Sequence, residues 1–261
     1  VPLKELTDRP GTPVLPTAGE HPRVRVVDVH VHDEPRRLVV PAHGQAALRG
    51  ALQGAVHVTG DGRARIDPGP HRPRREIVRL TRVAHLSPDT GRVHLDLRLP
   101  GPDPEPLVRA GARIVRPPGA DPWYVLADPE GNAFCAYPAV DARPPGIFEL
   151  VVKCRDAGFL AGWWCALLGG DVSTEGEAAA VTGAHEFPWD YLLFDPVPEP
   201  KTARNRLHWH VVLRDREPSA LTAAGARVVA TPSRQSRCWV MADPEGNEFC
   251  ACPPDFSSPA D

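Results

Sequence analysis

One phrase in this chain occurs twice, as "LADPEGNAFCAY" and again as "MADPEGNEFCAC". The shared core runs from Asp128 to Cys135 and from Asp243 to Cys250, so the copies lie 115 positions apart. The match continues upstream in constant order. "RAGARIVRPP" at 109–118 answers "TAAGARVVATP" at 222–232, and "RVHLDLRL" at 92–99 answers "RLHWHVVL" at 206–213. Further back, "ALQG" at 51–54 answers "ALLGG" at 166–170, and "LVV" at 38–40 answers "LVV" at 150–152. Self-similarity at the period of a whole domain marks a duplication. The sequence therefore divides into an extension over 1–33, a first copy over 34–138, the Pro/Gly-rich linker "AVDARPPG" over 139–146, and a second copy over 147–254.

Each copy reads as strand, helix, several strands, then strand, helix and closing hairpin. In the second copy "FELVVKC" is the opening strand. Asp156 can cap a helix carrying Phe159, Leu160, Trp163, Trp164, Leu167 and Leu168, which Gly169 and Gly170 stop. A later helix has Pro218 near its start, Leu221 inside and Gly225 at its end, and Asp103, Pro104, Leu107 and Gly111 repeat that pattern in the first copy. "DPEGN" and its apolar flanks make a hairpin in each copy.

Strand alternation sorts the side chains by face. In "RLHWHVVL" Leu207, Trp209, Val211 and Leu213 form an apolar face, leaving His208 and His210 on the other. In "RVHLDLRL" His94 and Asp96 share the polar face. The return strand sets Phe249 and Ala251 against Glu248, Cys250 and Cys252, and the opening strand sets Phe148, Leu150 and Val152 against Glu149, Val151 and Lys153. With the apolar faces packed on helices, His208, Cys250 and Glu149 look away from them. Cys135 and Cys250 read either as nucleophiles beside a histidine or as small buried hydrophobes, and His208 and His210 as acid/base groups or a hydrogen-bonded pair. Trp189, in the loop-like "HEFPWDY", is a candidate pocket wall. His30 and His32 share a strand face and are read as lying on a solvated edge strand. The basic, proline-rich run "DPGPHRPRRE" at 67–76 reads as a solvated loop.

The formal net charge of −3, without a long basic run, excludes an electrostatic footprint for nucleic acid. No apolar stretch approaches the roughly 20 residues of a membrane span, and "VPLKELTDRP" lacks the apolar core of a signal peptide, so the expectation is a cytoplasmic protein. Lys4, Lys153 and Lys201 are the only lysines among 30 basic residues, which reads as the coding bias of a GC-rich bacterial genome. The six cysteines are expected as thiols, although Cys238 and Cys252 flank the last hairpin and could face each other across it.

With "RLHWHV", "AAGARVV", "WVMADPEGNEFC" and the "PVPEPKTARNR" run at 196–206, the chain resembles the vicinal oxygen chelate superfamily, in its glyoxalase-like and bleomycin-resistance-like branch. The resemblance is good over 92–137 and 147–252. It implies an α+β fold of two tandem domains, each of paired βαβββ modules whose curved sheets form a cup. In metal-dependent relatives the ligands stand on the opening strand, on the histidine strand and after the turn. These positions are Glu149, His208 and Cys250 in the second copy, and Arg37, His94 and Cys135 in the first; Asp195 lies near a further carboxylate position. Arg37 is a permanent cation, which makes the first copy unsuited to that metal, and a thiol in both copies stands where those relatives carry glutamate. The resemblance thus implies a protein binding a small, partly apolar metabolite or antibiotic without a cofactor, with Trp189, His94, Asp96, Cys250 and Lys153 as candidate contacts. The alternative is a lyase, isomerase or epimerase on a small oxygenated substrate, with Glu149, His208 and His210 catalytic and zinc or another divalent metal held by Glu149, His208 and Cys250. A third reading is a structural interaction module. Expected partners are a small-molecule ligand, no nucleic acid and no membrane, in a monomer or homodimer.

Overall fold

The computed structural model describes residues 23–32, 56–58, 64–66, 77–83, 85–88, 91–139, 142–184, 187–233 and 236–256. The chain divides into two compact units: one of residues 1–26, 152–204 and 208–261, the other of 27–151 and 205–207. No helix of the described residues is long and apolar enough to cross a membrane.

The described strands are β1 (Arg23–His32), β2 (Val56–Val58), β3 (Ala64–Ile66), β4 (Ile77–Val83), β5 (Val93–Arg98), β6 (Arg113–Arg116), β7 (Tyr124–Ala127) and β8 (Ala133–Tyr137). They continue as β9 (Gly146–Cys154), β10 (Asp171–Glu175), β11 (Ala178–Thr182), β12 (Tyr191–Pro196), β13 (Leu207–Val212), β14 (Arg227–Ala230), β15 (Trp239–Ala242) and β16 (Glu248–Cys252). The helices are α1 (Glu105–Arg109), α2 (Ala157–Leu168) and α3 (Ser219–Ala223). One eight-stranded sheet has the order β14-β15-β16-β13-β1-β4-β3-β2 and the other β10-β11-β12-β9-β5-β8-β7-β6. Read from opposite ends the two orders are the same plan, in which each sheet joins the closing strands of one copy to the opening strands of the other.

Helix α2 begins where the Asp156 side chain accepts from the Phe159 amide at 2.9 Å, and ends at Gly169, whose φ of 75° admits the left-handed turn. Its inward face carries Trp163 and Trp164, 1% and 0% exposed. The Trp164 ring lies 5.1 Å from that of Trp209 on β13 and 5.0 Å from that of Phe249 on β16. One face of β13 and β16 is thus sealed on α2, as alternation requires.

The repeated phrase is a turn with its own internal logic. Asp128 Oδ1 accepts from the amides of Glu130 and Asn132, and Asp243 Oδ1 does the same for Glu245 and Asn247. Gly131 and Gly246 sit at φ 81° and 89°, where an L side chain is strained. Their neighbours differ. Glu245 accepts from the amides of Arg155 and Asp156 at the start of α2. The first turn is instead gripped by Arg206, which donates to the Glu130 carbonyl at 2.9 Å and to Asn132 Oδ1 at 3.1 Å.

Several expectations change here. The topological counterpart of β9 is β1, at 23–32, within the stretch read as an extension, and "LVV" at 38–40 lies outside the described residues. Arg37 lies outside the described residues, as does the 67–76 run. The strand carrying His30 and His32 is not an edge: β1 has β13 on one side and β4 on the other, because an opening strand in this plan pairs on both sides.

Candidate functional site

In the first unit the register builds a small grid on the face turned away from α2. Strand β13 runs parallel to β16 with His210 opposite Cys250 and Val212 opposite Cys252. Strand β16 runs antiparallel to β15 with Cys250 opposite Val240 and Ala251 opposite Trp239, which sets Cys238 across from Cys252. His208 and His210 stack at 5.4 Å between ring centroids. Donor atoms of His208, His210 and Cys250 all lie within 4.8 Å of one another, and so do those of His210, Cys238 and Cys252. His210 Nδ1 is 3.5 Å from Cys252 Sγ. Phe256 covers the cluster, with its ring 5.8 Å from that of His210.

The expectation of thiols throughout is corrected at this point. Cys238 and Cys252 form a disulfide with an S–S distance of 2.08 Å, because the hairpin register brings their Cα atoms to 4.2 Å. Cys135, Cys154, Cys165 and Cys250 are free thiols. Burial works against a thiolate at Cys250, but the charge of His210 and hydrogen bonds with His208 and His210 outweigh it, and the thiol falls from 9.0 to about 6.

The second unit has the matching grid with different residues. Strand β5 runs parallel to β8 with Arg98 opposite Tyr137, which sets Asp96 across from Cys135. Asp96, 2% exposed, accepts from the Cys135 amide at 2.9 Å through Oδ1. His94 Nε2 lies 3.5 Å from the same oxygen, and His94 Nδ1 lies 3.0 Å from the Gly91 carbonyl. Where the first unit has its disulfide, Trp123 stacks on Tyr137 at 5.0 Å. Tyr137 meets Phe148 edge-on at 5.1 Å, and the Arg98 guanidinium stands 4.1 Å over the Phe148 ring. Burial, then the charges of Asp96 and Glu149, push the Tyr137 phenol well up. Trp123, Cys135 and Tyr137 are half-buried.

Alternation sets Phe148 on the side opposite Glu149, yet Phe148 joins the polar-face residues Arg98 and Tyr137; cation–π and ring-edge contacts hold it there. Glu149, 6% exposed, lies on β9 in the unit of His94, whereas His208 and Cys250 belong to the other unit. The three-donor groups among the described residues join His208 and Cys250 to His210 and do not include Glu149. Lys153 is half-buried further along β9. Trp189 is 7% exposed, its ring 5.6 Å from that of Phe187. The residues that sequence reading passed over are Trp123, Tyr137 and Arg98. Their signal was register: Trp123 and Tyr137 are 115 positions before Cys238 and Cys252.

The two grids differ in their fitness for the metal that the superfamily implies. Both nitrogens of His94 face oxygen acceptors, and Asp96 Oδ1 already takes a backbone N–H, so that group has few lone pairs to offer. His208, His210 and Cys250 are a nitrogen and sulfur set that suits zinc better than magnesium or manganese.

The glyoxalase-like domain family model matches residues 46–137 and 149–252. The chain belongs to this family, as a tandem member of the vicinal oxygen chelate superfamily. No curated protein matches the sequence. Among solved structures, a point mutant of glyoxalase I from Zea mays is similar at 15% identity and a TM-score of 0.65, over 90% of this chain and 94% of that one. The unmutated Zea mays enzyme gives 14% identity and a TM-score of 0.62, over 88% and 92%. A proposed dioxygenase from Bacillus subtilis gives 11% identity and a TM-score of 0.60, over 92% and 87%. At such identities these likenesses establish the fold.

Proposed function

We propose that the chain binds a small, partly apolar metabolite or antibiotic against the β5 and β8 face of the second unit, without requiring a resident metal. The observation that carries this reading is the half-buried Trp123–Tyr137 stack in register beside the buried His94 and Asp96. Stacked rings receive a planar apolar body, Arg98 supplies a cation at one end, and the imidazole and carboxylate fix polar groups at the other. Against a panel of metabolites and antibiotics, binding is expected to raise the melting temperature of metal-stripped protein. Trp123→Ala should weaken that ligand at least about tenfold, the loss of one good aromatic contact. Equal binding by Trp123→Ala, or a panel that leaves the melting temperature unmoved, would sink the reading.

A second reading rests on the other grid. Cys250, with a thiol near 6 and two imidazoles against it, is equipped for acid/base or zinc-assisted work on a small oxygenated substrate by a lyase, isomerase or epimerase. His208→Ala should then abolish turnover while leaving ligand affinity intact. Unchanged turnover in that variant removes this alternative.

A further inference from the structure

The disulfide grid holds more donors than a disulfide needs. Cys238, Cys250, Cys252 and His210 are 3%, 6%, 0% and 4% exposed and occupy adjoining positions on one sheet face. His210 is common to both donor groups, with Cys250 beside it in one and Cys238 and Cys252 in the other, and among the described residues no group joins Cys250 to those two sulfurs while they are bonded to each other. Nor does the fold demand such a set, since the other copy places Trp123, Cys135, Tyr137 and Asp96 at the same registers. A tetrahedral zinc ion with bonds of about 2.0–2.3 Å keeps its ligand atoms roughly 3.5–3.8 Å apart. The 3.5 Å between Cys252 Sγ and His210 Nδ1 already matches that spacing. Two sulfurs joined by a covalent bond cannot both serve as thiolate ligands.

We propose that reduction of the Cys238–Cys252 disulfide frees both sulfurs to turn toward Cys250 and so opens a buried zinc-type site with Cys238, Cys250, Cys252 and His210 as ligands. The C-terminal hairpin then has two locked forms, one held by the disulfide and one held by metal. Reduction by a dithiol passes two electrons and two protons to Cys238 and Cys252, breaks their S–S bond and leaves the dithiol as its own disulfide. Each thiol that then binds the divalent ion releases its proton to solvent. His208 is not needed, which separates this site from the acid/base reading, and the β5 and β8 face plays no part in it.

The full chain, oxidised or reduced with a dithiol and desalted without air, is titrated with zinc against a chromophoric chelator and with cobalt as a spectroscopic probe. The reduced chain is expected to take up one equivalent, with sulfur-to-cobalt charge-transfer bands and tetrahedral d–d intensity. The oxidised chain should bind at least about a hundredfold more weakly, having lost two thiolates. Cys238→Ser and Cys252→Ser should each lose the tight site in the reduced chain, whereas His208→Ala and Cys135→Ser should keep it. Equal affinity in both redox forms, no uptake by the reduced chain, or a tight site retained in Cys252→Ser overturns the proposal. If reduction or a variant disturbs native tryptophan fluorescence, its recovery on adding zinc to the reduced wild-type chain supports the site, and no recovery counts against it.

Discussion

Cys250 and Asp243 are buried in the same unit and shift in opposite senses, because two imidazoles stand beside the sulfur and burial outweighs the hydrogen bonds to the carboxylate. The folded thiol near 6 lies below its ordinary 9.0, so the thiolate stabilises the fold fully above pH 9, and that contribution is lost as pH falls through 6. The melting-temperature difference between wild type and Cys250→Ala is therefore expected to shrink from pH 9 to pH 5, with the groups facing the sulfur being His208 and His210. Burial raises the Asp243 carboxyl from 3.8 to about 6 against the hydrogen bonds of Asn247, Trp164 and Glu245. Its charge costs stability above pH 6, and that cost fades as pH falls toward 3.8. Its acceptors still matter more than its charge. Asp243→Ala strands Trp164 Nε1, Asn247 Nδ2 and two amides, and should lose about 2–4 kcal/mol in urea unfolding. Asp128→Ala, in a half-buried turn that water can reach, should lose about 1–2 kcal/mol. The sequence announced both aspartates by their repeat and could not rank them, since burial comes from Trp164, 79 positions away from Asp243.

Among the elements, α2 was the most legible. Its cap, its apolar spacing and its glycine stop are local properties, and the structure begins and ends it where those signals lie. Trp164 packs on three rings at about 5 Å, so Trp164→Ala is expected to cost about 3–5 kcal/mol by denaturant unfolding. Just past the helix Gly170 holds φ 93°, and a Cβ there would run into the Thr182 carbonyl and the Ala184 amide. Gly170→Ala should lower stability by about 2–3 kcal/mol or more on the same assay. The β13 and β16 faces were legible by alternation, since apolar residues recur on one side of each. Less legible was β9, which is buried on both faces along most of its length, so the contrast between Phe148 and Glu149 does not tell a buried side from an exposed one.

At the scale of the molecule the repeat was visible but its pairing was not. Sequence similarity binds residues 147–254 into one copy, whereas hydrogen bonding sets β9 beside β5 and β13 beside β1. A fragment of residues 139–261 should accordingly leave one side of β9 and one side of β13 unpaired, and is expected to self-associate or unfold on size-exclusion chromatography with circular dichroism. A stable monomer would contradict the strand order. The sequence by itself determined the duplication, by comparison of the chain with itself, and the two turns, the capped helix and the polar faces, because each of these follows from chemistry within a dozen neighbouring residues. Only the tertiary structure decided that Cys238 meets Cys252, that His210 stands between two sets of sulfurs, and that Trp123 occupies the disulfide's register in the other copy. Register between strands is fixed by contacts distant in the chain, and a one-residue slip would have exchanged every face.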